Sequence, residues 1–593
     1  MTLFALAING ISSVIPQDIF HTLFVDDLSL SFAGAKMPMV ERKLQLTVNK
    51  IVRWADMNGF KFSTSKTVIV HFCRIRGVHP DPDIYIKGQR IPCVQETRFL
   101  GLIFDCKLTW VSHLKALKNK CLDALNILKV LAHTLWGADR KTLLRLYKAL
   151  ILSKLLYGCE IYSSASPSKL KILDSVHHTG IRLATGAFRS SPIPSLLVEA
   201  GELPLDLHRQ NLVCRYWYRV QRLPNSLAYE TVTKETYFRF YESHAKYPQP
   251  FGFRVRLLLN NFNLNRNVVI PFKFPVIPPW KLPEVSFCNY FIGVKKNMTE
   301  VEIRSIFMEH VLEHENSRFI FTDGSKCSAG VGFGVSNTDF NVKGALPLVA
   351  SNFTAELYGI LSAVEKIALI DEGSFTIFSD AKSVLQALGV FNSPNPIILK
   401  ILQWLYILQS RGTEVHFCWV PAHVGIHGNE EADKLAKQAA AELLPGRRQI
   451  LCRDLYPNIR DSINNTWQQQ WNLVGPNKLR EIKTDISPWN YNHMPRKFET
   501  SLCRLRIGHT RLTHGYLMAG DQQPYCNDCL VPMSIKHILT ECPSLGDLRD
   551  QFLKESRGED GRYILAKTLG ESVCPGHTGV FKFLAEAGFL YQI

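Results

Sequence analysis

Phe319-Ile320-Phe321-Thr322-Asp323-Gly324-Ser325 is a β-rich run that ends on an acid and a turn. Downstream lie Thr354-Ala355-Glu356-Leu357, then Phe378-Ser379-Asp380, and then Trp419-Val420-Pro421-Ala422-His423-Val424-Gly425. Gly428-Asn429-Glu430-Glu431-Ala432-Asp433 closes the series. Asp323, Glu356, Asp380, Asp433 and His423 each fall at the edge of an expected element. Val331–Val335 and Phe340–Leu346 read as further strands of an antiparallel meander. Leu357, Ile360, Leu361, Val364 and Ile367 make a helical stripe, with Glu356 on its edge. Phe375–Ser379 is a continuous apolar run, expected as a central parallel strand with Asp380 at its C-terminal end, where sites form in open α/β sheets. Helices are expected over Ala381–Leu388 and Pro396–Gln409, and a last strand over Glu414–Val420. Asn429 is expected to cap a final helix with Glu430 and Glu431 in its first turn.

Four carboxylates meeting at one sheet edge repel one another unless cations lie between them. Two Mg²⁺ (or Mn²⁺) ions, expected about 4 Å apart, supply that compensation and a chemistry: one activates a water, the other stabilises the leaving oxygen. His423, in a loop before the last helix, is placed to move protons or to help product leave. A lone Asp at a strand end is ordinarily a turn or a cap; the ordered set is what points to a metal-dependent nuclease.

The same motifs resemble a type 1 ribonuclease H domain over about 314–442. The resemblance implies Asp323, Glu356, Asp380 and Asp433 as metal ligands and His423 as a mobile assistant. It implies cleavage of the RNA strand of an RNA–DNA hybrid, with recognition of the 2′-hydroxyl. It also makes Asn352 a substrate-binding residue at the hybrid's minor groove, although Phe353 stands where a polar residue is common. No Lys/Arg-rich insertion lies between Asp380 and His423, so the domain is expected to draw grip from neighbouring segments.

The chain has 593 residues, is 46% hydrophobic and carries a net charge of +17. That size exceeds one core, the apolar content excludes wholesale disorder, and the excess of Lys and Arg suits a polyanion partner. Nucleic acid, with the RNA–DNA hybrid as substrate, is the expected partner; no membrane or small-molecule substrate is expected. Fifteen cysteines scattered along the chain fit a reducing compartment, so an intracellular location, nucleus and/or cytoplasm and not secreted, is expected. The apolar opening Met1–Ile15 has no basic leader and reads as the continuation of a domain whose start is missing.

Phe20 to Leu30 reads as a β-hairpin with Asp26 and Asp27 at its turn. With Lys66 in the following loop and the hairpin Phe99–Asp105, this succession resembles the palm of a non-LTR, jockey-like retrotransposon reverse transcriptase. Leu108-Thr109-Trp110 and the amphipathic stretch His113–Tyr162 resemble its thumb. Such polymerases need a further Asp, a fingers region and a Pro-Gln-Gly turn well before Asp26. Asp26 and Asp27 are therefore read as vestiges of a polymerase site, and polymerisation is not expected.

Pro248–Lys295 is rich in prolines and aromatics and reads as a spacer. Residues 449–520 interleave aromatics with arginines, which suits either base stacking or a small helical packing unit. Cys526, Cys529, His537 and Cys542 follow C-x₂-C-x₇-H-x₄-C, a spacing that can close a tetrahedral Zn²⁺ site. Related retrotransposon chains end in a similar knuckle.

The expected fold class is multi-domain, α/β and α+β. The segments are a truncated palm at 1–110, a helical thumb or connection at 111–247, a Pro-rich linker at 248–312, and the nuclease at 313–443. The nuclease is expected as a mixed five-stranded sheet with helices. A helical basic region at 444–520, a zinc knuckle at 521–546 and a tail at 547–593 follow. Two other readings use the same residues: an inactive nucleic-acid-binding relic of a retrotransposon, and a transposase-type integrase, which uses fewer carboxylates and lacks the Pro421-Ala422-His423 loop.

Overall fold

In a computed structural model of the chain, the residues described are 2–74, 80–244, 246–264, 269–288, 290–291, 298–313, 316–370, 373–442, 449–490, 494–571 and 577–593. They divide into two compact units, the first made of Met1–Leu205, Ala245–Pro248 and Gly475–Ile593, the second of Asp206–His244 and Gln249–Val474. Among the described residues no helix is long and apolar enough to cross a membrane.

The first unit opens on a short helix, Thr2–Asn9, and its N-terminal part holds three small antiparallel hairpins, the first two separated by the helix Met37–Met57. Strands β1 (Phe20–Phe24) and β2 (Asp27–Ser31) pair with Phe24 opposite Asp27. Strands β3 (Tyr85–Ile86) and β4 (Gln89–Arg90) form the second, and β5 (Glu96–Phe99) and β6 (Leu102–Asp105) the third. Leu100 and Gly101 both take positive φ at the tip of the third, as a two-residue turn between right-twisted strands requires. Helices then dominate, among them Val111–Leu131, Asp174–Thr185 and Ile193–Ala200. The last of these presents Glu199, fully buried, to the Arg140 guanidinium at 2.9 Å. The Trp489 indole N–H donates to the other Glu199 oxygen at 2.7 Å. Buried charge is tolerated only when paired in this way, and here the pairing ties residues 140–199 to the C-terminal part of the same unit.

That C-terminal part is built on one apolar core. Leu502 and Leu505, Ile538 and Leu539, Leu553, Leu565 and Leu569, and Phe583 and Leu584 are all buried in it. The segments drawn from sequence as a basic helical region, a knuckle and a tail thus share a core between residues 502 and 593.

The second unit is organised by one sheet of six strands in the order β10-β9-β8-β11-β12-β7. These are β7 (Phe287–Cys288), β8 (Ser317–Lys326), β9 (Val331–Ser336), β10 (Asn341–Leu346), β11 (Ser374–Ser379) and β12 (Glu414–Trp419). The meander β8-β9-β10 is antiparallel, while β11 lies parallel to both β8 and β12. The sixth strand, β7, comes from the stretch expected to be a linker. That stretch also contains the helices Phe251–Asn261 and Glu300–Glu313. Apolar residues among and after its prolines explain the difference: Phe253, Val255, Leu259, Phe291 and Ile303 are buried, and each such side chain contributes about 1.5–3 kcal/mol when fully removed from water.

Four helices flank the sheet, α1 (Asn352–Ile367), α2 (Lys382–Leu388), α3 (Pro396–Ser410) and α4 (His427–Ala441), and α5 (Leu455–Leu473) follows. The seat of α4 on β9 is written in small residues. Gly330, Gly332 and Gly334 lie on one face of the strand region, and a Cβ on them would stand 2.3, 2.5 and 2.1 Å from the carbonyls of Ala440, Ala436 and Ala432. Those alanines recur every four residues along one side of α4, so a glycine row meets an alanine row and the backbones come together.

Candidate active site

Asp323 lies within β8, Glu356 in the first turns of α1, Asp380 immediately after β11, and Asp433 in α4. Carboxylate oxygens of Asp323, Glu356 and Asp380 all lie within 4.8 Å of one another. Gly324 makes this possible, since a Cβ there would come 2.7 Å from the Glu356 amide nitrogen. Side-chain loss at that position lets α1 approach the strand that carries Asp323.

The electrostatics are those of a cation site. Burial, then the charges of Asp380 and Asp433, push the Asp323 carboxyl up to about 8. Burial, followed by Asp323 and Asp380, pushes Glu356 well above the usual range. Asp380 is raised by burial, while His423 and a hydrogen bond from Asn429 pull it back. Glu356 Oε2 is buried with no hydrogen-bond partner among the described residues. An orphaned, electron-rich oxygen facing two other carboxylates fits a hard divalent cation.

Asp433 stands beside this trio. Its Oδ2 accepts from Lys437 Nζ at 2.6 Å and lies 3.9 Å from His423 Nδ1. His423 is 72% exposed and takes a positive φ of 55°, so its imidazole reaches the site from solvent on a strained loop residue. Asn352, exposed at the start of α1, donates to Glu356 Oε1 at 3.4 Å. The Trp419 indole N–H donates to the Asp380 carbonyl at 2.9 Å and fixes the end of β11.

One reading of this region changes. Helix α4 starts at His427 after Ile426, so Asn429 does not cap it; Asn429 is buried and holds Asp380 instead. Its position four residues before Asp433, one turn away on the same helix face, carried that signal. Lys437, four residues after Asp433, was legible by the same rule.

Away from the sheet, Asp26 lies in the exposed β1–β2 turn and Asp27, also exposed, opens β2, and they belong to neither of the ligand clusters found among the described residues. Cys526, Cys529, His537 and Cys542 do form such a cluster, with ligand atoms within 4.8 Å of one another. Cys542 Sγ lies 3.9 Å from Cys526 Sγ and 3.8 Å from Cys529 Sγ. The Cys526 thiol is pulled down chiefly by His537 and then by the backbone amides of Cys529 and Asp528, as suits a thiolate ligand.

A family model described as RNase H matches residues 315–441. Over 213 residues the chain is 26% identical to a retrovirus-related Pol polyprotein from the type-1 retrotransposable element R1 4 of Nasonia vitripennis, which covers 33% of this chain and 54% of that one. Over 223 residues it is 22% identical to the RNA-directed DNA polymerase from mobile element jockey of Drosophila melanogaster, covering 37% and 24% respectively. The chain spans about half the length, or less, of the curated relatives it matches. Residues 315–441 thus match the RNase H family, and about a third of the chain is similar to proteins of the R1 and jockey mobile elements.

Proposed function

We propose that this chain cuts the RNA strand of RNA–DNA hybrids, endonucleolytically, at the site formed by Asp323, Glu356, Asp380 and Asp433. The observation that carries the reading is the meeting of three carboxylates within 4.8 Å, those of Asp323 and Glu356 buried and that of Asp380 half-buried, with one Glu356 oxygen unpartnered. Asp323, Glu356, Asp380 and Asp433 would hold divalent cations, two in this reading, which when bound would supply an acidified water and charge stabilisation for the leaving 3′ oxygen. The protein's part is to hold the ligands and to exclude other geometries. Asn429 and Trp419 fix Asp380 from its side chain and its backbone, and Gly324 lets Glu356 approach Asp323. Lys437 and His423 approach Asp433 from the solvent side, where His423 exchanges protons as product leaves. Asn352 contacts the hybrid at the mouth of the site. The RNase H match and the net charge of +17 support a nucleic-acid substrate.

The Cys526, Cys529, His537 and Cys542 cluster holds one Zn²⁺ in a structural role in this reading, since all four positions of a tetrahedron are filled by protein. The proposal does not include DNA synthesis by these 593 residues. The exposed pair Asp26 and Asp27 is the support for that part, and a primer-extension assay that yields product overturns it.

The test of the nuclease is cleavage of a labelled RNA–DNA hybrid in Mg²⁺ by the full chain and by Asp380→Asn. Cutting by the wild type and loss of at least about a hundredfold in the variant is the expected result, as for removal of a group central to charge stabilisation. Equal cutting by both rejects the site; binding without cutting by the wild type favours the inactive relic.

A further inference from the structure

Helix α1 carries Asn352 and Glu356 in its first turns, and those turns are held from outside residues 315–441. Asp454, in the short turn Cys452–Asp454 that precedes α5, is buried. Its Oδ1 accepts from Ser351 Oγ at 2.7 Å and its Oδ2 accepts from Thr354 Oγ1 at 2.7 Å. Backbone amides of Leu451 and Ser351 also point to it. Ser351 is the N-cap of α1, its hydroxyl accepting from the Thr354 amide at 3.2 Å. The carboxylate therefore sits over the N-cap as an outer layer, where negative charge also suits the positive end of the helix. On the other side Lys326 Nζ, at the end of β8, donates to the Ala350 carbonyl at 2.7 Å. One helical turn on, the Tyr358 hydroxyl donates to the Gln449 carbonyl at 2.7 Å, so the segment that provides Asp454 is anchored twice along α1.

We propose that Asp454 is a positioning residue for the cation site: by locking Ser351 and Thr354 it fixes the angle at which α1 delivers Glu356 to Asp323 and Asp380. The inference rests on the carboxylate cluster being a cation site, as the preceding reading has it. Besides the Gly324 backbone amide, the Glu356 carboxylate is oriented by one long side-chain bond, from Asn352 to Oε1, and its Oε2 is buried without one. Its aim therefore depends on where the helix puts its Cα. Asp454 does this work through the two hydroxyls without touching substrate or metal. Loss of groups that support a metal ligand typically costs metal affinity or activity, and because Asp454 acts on where Glu356 is delivered, affinity is the quantity expected to move.

The experiment compares the full chain with Asp454→Ala, Asp454→Asn and Thr354→Val, the last keeping the shape of Thr354 while removing its donor. Mn²⁺ affinity by electron paramagnetic resonance and the Mg²⁺ dependence of hybrid cleavage are read together. Asp454→Ala and Thr354→Val are expected to weaken Mn²⁺ binding and raise the Mg²⁺ requirement by about fivefold, somewhat below the range for direct ligand partners. Cleavage at saturating Mg²⁺ should change by less than twofold. Asp454→Asn, which keeps an acceptor oxygen, should recover part of the affinity, and the double variant should fall short of the sum of the singles because both lose the same contact. A lower melting temperature with unchanged Mn²⁺ affinity in Thr354→Val and Asp454→Asn overturns the inference and leaves Asp454 a cap alone. If the wild type binds Mn²⁺ and cuts no hybrid, the function proposed above fails while the Mn²⁺ comparison still decides the role of Asp454.

Discussion

Lys437 Nζ lies 2.6 Å from Asp433 Oδ2, one helical turn along α4, so the one acid of the four outside the carboxylate trio is already paired with a protein ammonium. The bond to Asp433 in turn raises the lysine. A divalent cation recruiting Asp433 has to displace this ammonium or share the oxygen with it. Lys437→Met removes a competing positive charge, and Mg²⁺ affinity should rise. Lys437 is 60% exposed, and exposed pairs are worth up to about 1 kcal/mol, so the expected gain is about two- to fivefold. Calorimetric titration of Mg²⁺ into the full chain checks it, and weaker binding in the variant counts against the competition.

The glycine row of β9 gives a stability prediction. A Cβ at Gly334 would stand 2.1 Å from the Ala432 carbonyl and 2.8 Å from the Ala436 amide nitrogen. These are backbone atoms, so no rotamer relieves the clash and α4 must move. Gly334→Ala should cost about 1–3 kcal/mol, the usual toll of overpacking, and should reduce cleavage as well, because Asp433 rides on the displaced helix. Chemical denaturation beside the hybrid assay separates the two effects. A variant with unchanged stability shows that the helix yields freely.

Much of the second unit was legible because its signals are local. The apolar run Phe375–Ser379 could only be a buried strand, and the stripe from Leu357 to Ile367 could only be one helix face, so Asp380 and Glu356 fell at the correct edges. Asn429 misled because Asn before a run of acids looks like a cap, whereas burial and the partner at Asp380 decide its role and come from a strand far away in sequence. Asp454 gave no signal at all, since its bonds to Ser351 and Thr354 span about a hundred residues. The strand β7 was hidden for the opposite reason. Its proline-rich surroundings argue locally for a spacer, and only pairing of Phe287 and Cys288 with β12 overrides them.

Glu199 is the charged centre of the first unit, fully buried and bonded to Arg140 and Trp489. The guanidinium of Arg506 lies 3.8 Å from it. Glu199→Ala leaves buried guanidinium charge uncompensated, a loss that typically costs about 3–5 kcal/mol. Hydrogen exchange should then quicken in both Arg140–Tyr147 and Arg496–Ile507, since the one carboxylate serves both stretches. Faster exchange confined to either helix would show that the contact does not couple them.

The first unit should be acid-sensitive. Burial is the leading cause that lowers His178 to about 4, His509 to about 3 and His514 to about 4. The last two rings stack with centroids 3.6 Å apart, so charging both adds repulsion. A folded pKa below the unfolded one means that the native state binds fewer protons. The stabilisation is therefore complete above about pH 6.5, the ordinary histidine value, and is lost as pH falls from there towards 4. Exchange protection in the segment 496–514 should drop between pH 7 and pH 5. In His514→Phe, which keeps a ring and removes the charge, that drop should be smaller. Equal pH dependence in both proteins rules out His514 as a source.

Ile538 and Leu539 lie between His537 and Cys542 of the Cys/His cluster and are buried in the core shared with Phe583 and Leu584. The Arg549 guanidinium donates to the Ile538 carbonyl at 3.3 Å and to the Cys542 carbonyl. A metal at the cysteines would thus hold a piece of the core. Structural zinc contributes about 10–16 kcal/mol of binding energy in small zinc-finger peptides, far more than a few leucines supply. Elemental analysis should find one zinc per chain, and a strong chelator should expose the 535–542 segment and loosen the helix Thr578–Glu586 with it. Cys542→Ser should behave as the chelated wild type, since a serine hydroxyl does not replace a thiolate ligand. If the purified chain contains no zinc and chelator leaves exchange at Ile538 and Leu539 unchanged, the apolar core holds the segment unaided and the four ligands only share a corner of it.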